Sequence, residues 1–288
     1  MGFTISVGGG CDISAAQMAA DGICPFRGTY TLGGIPFSDR LEYEYDFDNV
    51  TELIESGKLL TRTSPTPADY EMFFDSILER GVKSIVHISV DSRLSEDYDC
   101  AIKAVRNELV KFPRCEIYVV DAGTFSVGMH PLIERAKYLK SNGFTAAEAF
   151  LELNKTAKNV CTYFATEDLN YLKRLGKINV NADRGKILNL QYILKLNTRG
   201  KFLITGKTRG NLSTAERLAV LTEKSGADKI YLSTAGNFNQ LISFRKKAES
   251  RIAGLLSETD RMGLFTLSML GSRAYAVAYL TENASATQ

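Results

Sequence analysis

Short runs rich in Ile and Val alternate with segments of helical period along the whole chain, and this alternation limits the fold more than any other feature. Thr4–Val7, Ser84–Ser89 and Glu116–Val120 read as strands. Their unbroken apolar character fits a parallel sheet covered on both faces. Between them, Thr66 reads as an N-cap and Pro67 as the first helical residue, with Tyr70, Phe73, Phe74, Ile77 and Leu78 on one face before Gly81. Further helices are expected over Ser95–Val110, His130–Leu139 and Thr145–Lys158.

The texture changes near residue 160. Cys161–Ala165 reads as a strand and Glu167–Leu175 as a helix ended by Gly176, followed by strands broken by Gly185, Gly200, Gly206 and Gly210. Helices at Thr214–Ser225 and Asn239–Ser257 then interleave with strands at Lys229–Ser233, Leu264–Ser268 and Ala274–Leu280. The expected fold class is therefore α/β, in two domains. Residues 1–160 form a Rossmann-like parallel sheet with helices, and residues 161–288 a second α/β domain, which agrees with 288 residues at roughly 150 per domain.

Charge excludes one class of partner. The 35 Lys and Arg against 33 Asp and Glu leave +2, with no basic excess to meet a nucleic-acid backbone. The five cysteines are odd in number and form no CxxC pair, so reduced thiols in the cytoplasm are expected. Phe3–Val7 is too short for a leader or a membrane span. Met1-Gly2 with Ser6 fits an acylation pattern, but the same residues read better as a buried strand.

The residues just past each first-half strand are small, polar or hydroxylated: Gly8-Gly9-Gly10-Cys11-Asp12, then Val90-Asp91-Ser92-Arg93-Leu94-Ser95, then Asp121-Ala122-Gly123-Thr124-Phe125-Ser126. Ligands of open parallel sheets sit beyond the carboxyl ends of the strands. Glycines there admit a ligand to the backbone, and hydroxyls donate without adding charge. Such a crest suits a carboxylate or a phosphate, although the same residues also serve as ordinary caps and turns. No metal is expected: His87 and His130 are too few and wrongly spaced, His87 reading as a core strand residue and His130 as a helix cap. The glycine-rich segments match no nucleotide loop or nucleophile elbow. Asp91 or Asp121 could act as a base on a small anionic substrate, which keeps an enzyme as the alternative. Nothing else looks assembled for catalysis.

Four segments resemble the DegV family of bacterial fatty-acid-binding proteins, in order and spacing. They are Thr61-Arg62-Thr63-Ser64-Pro65-Thr66-Pro67, Val90-Asp91-Ser92-Arg93-Leu94-Ser95 through Ala101, Leu169 through Leu175-Gly176-Lys177-Ile178, and Gly185 through Arg199-Gly200. The resemblance implies a non-enzymatic carrier holding one palmitate-like long-chain fatty acid between its domains. The carrier would present the carboxylate to a fatty acid kinase, which makes an acyl phosphate for phospholipid synthesis. It implies no cofactor, and a link to the membrane only through lipid synthesis.

By position, ligand-binding residues would be Thr63, Ser64, Ser92, Ser95, Gly9, Gly271, Ser272 and Arg273. Lys173, Arg174 and Lys177 would form a partner-binding cluster, or else simply a solvated helix end. Two departures stand out. The family's carboxylate-binding His is Met269 here, and Arg273 replaces a Gly nearby, where it could offer a charge-assisted bond in place of the His. A third reading is a protein of this fold that has lost lipid binding.

Overall fold

A computed structural model describes residues 2–39, 47–178, 189–223, 225–236, 238–252 and 254–281. Strands β1 (Thr4–Val7), β2 (Ile23–Pro25), β6 (Ser84–Ser89) and β7 (Glu116–Asp121) form a parallel sheet in the order β2-β1-β6-β7. Alternate residues feed two cores. Ile85, Ile117 and Val119 pack with Tyr70, Phe74, Ala101 and Ala104 of helices α3 (Pro67–Leu78) and α4 (Asp97–Lys111). Val86, Ile88 and Val120 face Leu132, Ala136 and Leu153 of α5 (His130–Ser141) and α6 (Ala146–Ala157). Both faces are thus covered, which is why these strands read as continuous apolar runs.

Local chemistry sets the helix starts. Thr66 Oγ1 accepts from the Asp69 N–H while the Asp69 carboxylate takes the Thr66 N–H at 2.7 Å, a reciprocal capping box behind Pro67. Thr145 and Glu148 repeat the device on α6. Short elements fill the gap after β1: α1 (Ala15–Ala20), α2 (Phe47–Glu55), and an antiparallel sheet of β4 (Ile35–Ser38), β3 (Thr29–Leu32) and β5 (Leu60–Arg62). Gly33-Gly34, both at positive φ, turn β3 into β4. Strands this short escape sequence periodicity, yet β5 delivers Arg62, Thr63 and Ser64.

A second sheet runs β10-β9-β8-β13-β11-β12, from β8 (Val160–Thr166), β9 (Leu190–Leu196), β10 (Phe202–Arg209), β11 (Ile230–Thr234), β12 (Leu256–Arg261) and β13 (Ala274–Leu280). Its pairings are antiparallel except β11 with β12. Helices α7 (Leu169–Arg174), α8 (Asn211–Glu223) and α9 (Phe238–Ile252) accompany it. Gly185 lies outside the described residues.

Two expectations fail here. The expected strand Leu264–Ser268 is helix α10 (Leu264–Leu270), buried throughout and stopped by Gly271 at φ 82°. A short, largely apolar run carries no period that separates a buried helix from a buried strand. The expected helix Asn239–Ser257 stops at Ile252, and Leu256 and Ser257 already belong to β12.

The two sheets meet in one core. Phe125, just beyond β7, stacks on Phe164 of β8 at 4.5 Å and meets Phe265 of α10 edge-on at 5.8 Å. Gly10 permits this approach, since a Cβ there would stand 2.6 Å from Val90 and 2.8 Å from Phe265.

Candidate functional site

Beyond the carboxyl end of β6 lies a cleft of about 430 Å³, bounded by β5, the loop after β6, the end of α7 and helix α10; the segments that follow β1 and β7 do not line it. Its size falls within the roughly 300–1,000 Å³ of small-molecule sites. Leu60, Leu94, Leu175, Phe265 and Met269 make its apolar wall, and Ser64, Ser92, Ser95 and Lys177 stand among its polar groups.

The polar floor is mostly self-satisfied. Arg62 grips Asp97 with two nitrogens, at 2.5 and 2.9 Å, and Tyr70 donates to the same carboxylate at 2.7 Å. Burial alone would raise the Asp97 pKa; the Arg62 charge, with hydrogen bonds from Arg62, Ser95 and Tyr70, brings it below the ordinary carboxylate value. Ser95 also donates to Asp97, and Ser92 donates to Asp121 at 2.5 Å. Arg93 chelates Asp91 and reaches the carbonyls of Gly123 and Asn197, tying the loop after β6 to the turn between β9 and β10. Gly200 in that turn has φ 68°, and a Cβ there would meet the Arg93 carbonyl at 2.6 Å.

Asp91 is fully buried under Arg93, and Asp121 accepts from Ser92 and the Gly123 N–H. Both carboxylates have structural partners, which counts against either as the base of an enzyme.

The residues proposed from the sequence divide among three cavities, with Gly9 and Gly271 packed outside all of them. Ser64, Ser92 and Ser95 share the cleft with Met269. Thr63 lines an adjoining cavity of about 450 Å³ that meets the cleft at Arg62 and Ser64. Gly9 backs onto the Phe26 carbonyl, and Gly271 packs on the Tyr171 ring. Ser272 and Arg273 open into a separate polar cavity of about 820 Å³, where Arg273 pairs with Glu55 at 3.1 Å and Glu167 at 3.2 Å. The Arg273 guanidinium is thus held by two acids from elsewhere in the chain, outside the cleft that Met269 lines.

The basic cluster also splits. Lys173 and Arg174 are exposed, with Arg174 donating to the Gly57 carbonyl at 3.2 Å. Lys177 turns into the cleft instead, where its Nζ donates to the Leu94 carbonyl at 3.1 Å. Burial, then Lys201, lowers its pKa, and Asp91 opposes them.

Sequence alone assigns no role to Arg62 or Asp12. A charged residue inside a three-residue strand carries no signal of its own, because its partner Asp97 lies 35 positions away. Asp12 is visible only as part of a strand end. Its carboxylate accepts from Ser126 beyond β7, from Ser233 of β11 at 3.3 Å, from Thr266 at 2.7 Å and from the N-cap Gly263 N–H at 2.8 Å. It thereby caps α10, which carries Phe265 and Met269 into the cleft. Burial pushes the Asp12 pKa up to about 6 against those hydrogen bonds.

His87 and His130 are both buried. His87 Nδ1 meets Ser6 Oγ at 3.0 Å, and His130 Nε2 meets the Cys11 carbonyl oxygen at 2.7 Å.

A cleft of ligand size bounded by both halves of the chain, with an apolar wall facing hydroxyls and a lysine, has the make-up of a small-molecule binding protein. The chain belongs to the DegV family, whose model, described as "Uncharacterised protein, DegV family", matches residues 3–282. A DegV domain-containing protein of Clostridium perfringens is 26% identical over 200 residues, covering 67% of this chain and 68% of that protein. A DegV lipid binding protein of Thermotoga maritima superposes with a TM-score of 0.83 at 19% identity, covering 98% of this chain and 99% of that one. The Fatty Acid Kinase (Fak) B3 protein of Streptococcus pneumoniae, loaded with linoleic acid, does so with a TM-score of 0.79 at 16% identity, covering 98% of this chain and all of that one. Among the described residues no helix is long and apolar enough to cross a membrane.

Proposed function

We propose that this protein is a cytoplasmic carrier that binds a long-chain fatty acid between residues 1–160 and 161–288 and offers its carboxylate to a partner kinase. The observation that carries the reading is the cleft itself: apolar on the side of Leu60, Leu94, Leu175, Phe265 and Met269, polar at Ser64 and Lys177, and bounded by both halves. Family membership, a lipid-binding relative and a linoleic acid-loaded relative of the same fold support it.

The energetics are favourable. Each buried methylene contributes about 0.8 kcal/mol, so a sixteen-carbon tail outweighs the cost of desolvating a head group that keeps its hydrogen bonds. Lys173 and Arg174 are exposed beside Leu175 at the rim of the cleft, which suits an acidic docking surface on the kinase. Phosphoryl transfer would belong to that partner and the carrier would need no cofactor.

Native mass spectrometry of protein purified from a bacterial host tests the reading. A mass increment equal to a long-chain acid, removed by delipidation and restored with palmitate, is the expected result. A clean apo mass together with no calorimetric uptake of palmitate would overturn it.

A further inference from the structure

The donors of the cleft are nearly all spent. Ser92 gives its proton to Asp121, Ser95 to Asp97, and Ser268 to the Phe265 carbonyl at 2.7 Å. Arg93 is consumed by Asp91 and two carbonyls. Arg62 directs two nitrogens at Asp97, and its unpartnered Nε faces Gly28, 2.8 Å from where a Cβ would stand. Met269 brings a thioether, which donates nothing. Lys177 differs from them all: its ammonium has three protons, one goes to the Leu94 carbonyl, and among the described residues no carboxylate lies within ion-pair distance of it.

We infer that Lys177, assisted by the Ser64 hydroxyl, is the cation that recognises the carboxylate of the bound acid, in a cleft where Met269 donates nothing and from which Arg273 is absent. The inference rests on the carrier reading and deepens it, because it names the group that makes the site select an acid over a neutral lipid of equal length. Of the acids around the cleft, Asp97, Asp91 and Asp121 are matched by Arg62, Arg93 and Ser92, while Glu96 and Asp99 line it as exposed, solvated carboxylates, so Lys177 is the lining cation with protons left for an anion. A charge-assisted bond from an ammonium to a carboxylate is about twice as strong as a neutral one. Losing it weakens acids and leaves alcohols alone.

The test compares palmitate with hexadecanol, an uncharged probe with the same tail, by calorimetry on delipidated full-length protein. Lys177→Met keeps the bulk and removes the charge; Lys177→Arg keeps the charge. Lys177→Gln serves in place of Met should that variant melt early. The expected result is a palmitate affinity at least tenfold lower in Lys177→Met, hexadecanol affinity unchanged, and the wild-type ratio retained in Lys177→Arg. Equal loss of both probes, or a palmitate-to-hexadecanol ratio that stays at the wild-type value, would overturn the assignment while leaving the carrier reading intact. Uptake of neither probe by wild-type protein would overturn the carrier reading, and the assignment with it.

Discussion

Replacing Asp12 by Asn removes one charge from the junction of the two sheets while leaving its shape in place. In the native state the carboxyl titrates at about 6, against 3.8 for a free side chain, with burial the largest cause. Between these values the native state holds the proton and the unfolded chain does not, so this group adds stability as pH falls. Its contribution is complete below about 3.8 and lost as pH rises through about 6. At about 1.4 kcal/mol per tenfold change in proton affinity, the buried anion is about 3 kcal/mol more costly than its protonated form at neutral pH.

An Asn at this position would keep the contacts. Its Oδ1 would accept from Gly263 and Thr266, and its Nδ2 would donate to the hydroxyls of Ser126 and Ser233, which can rotate to accept. Asp12→Asn should therefore exceed wild type by about 1–3 kcal/mol at pH 7.5, the lower figure allowing for weaker neutral hydrogen bonds. That advantage should shrink by about 2 kcal/mol by pH 4.5. His87 and His130, both driven by burial down to about 4 from 6.5, act the other way and weaken the native state as acid is added. Only the difference between variant and wild type isolates Asp12. Urea unfolding at pH 7.5, 6.5, 5.5 and 4.5 measures it, and a difference that stays constant across the series would refute the reasoning.

Breaking the floor of the cleft should be costly: Asp97→Asn leaves the Arg62 guanidinium buried without its counter-charge, and a loss of about 3–5 kcal/mol in urea unfolding is expected. Gly10→Ala should lose about 1–3 kcal/mol by the same measurement, because the added methyl collides with Val90 and Phe265 at the junction of the sheets. Met269→His supplies a donor where the wall now has none, and should raise palmitate affinity relative to hexadecanol in calorimetry. Arg273→Ala, in contrast, should leave palmitate affinity within twofold of wild type, since that guanidinium is engaged by Glu55 and Glu167 in another cavity.

Class and order of elements were legible in the chain because they arise from local pattern. Thr66-Pro67 and Thr145 announce their helices through contacts no more than three residues distant, and the Ile and Val runs of β1, β6 and β7 reflect burial on both faces. The four segments that carry the family resemblance were legible for the same reason. The small sheet of β3, β4 and β5 was not, since three- and four-residue strands carry too little period, and neither was α10, whose apolar run suits either element.

The chemistry of the cleft lay further from view. Arg273 stands four positions from Met269 in sequence, yet Glu55, from 218 positions away, sets where it points. Lys177 reads as the end of a surface helix until the turn at Gly176 carries it under Leu94. The sequence by itself thus determined that an α/β protein would form, with small and hydroxylated residues beyond its parallel strands. Only the tertiary structure decided which of those hydroxyls already serve a neighbouring carboxylate and which cation remains to meet a ligand. The physical reason is that charges and hydrogen bonds pair through space, and a buried donor is spoken for by whatever acceptor the packed fold brings to it.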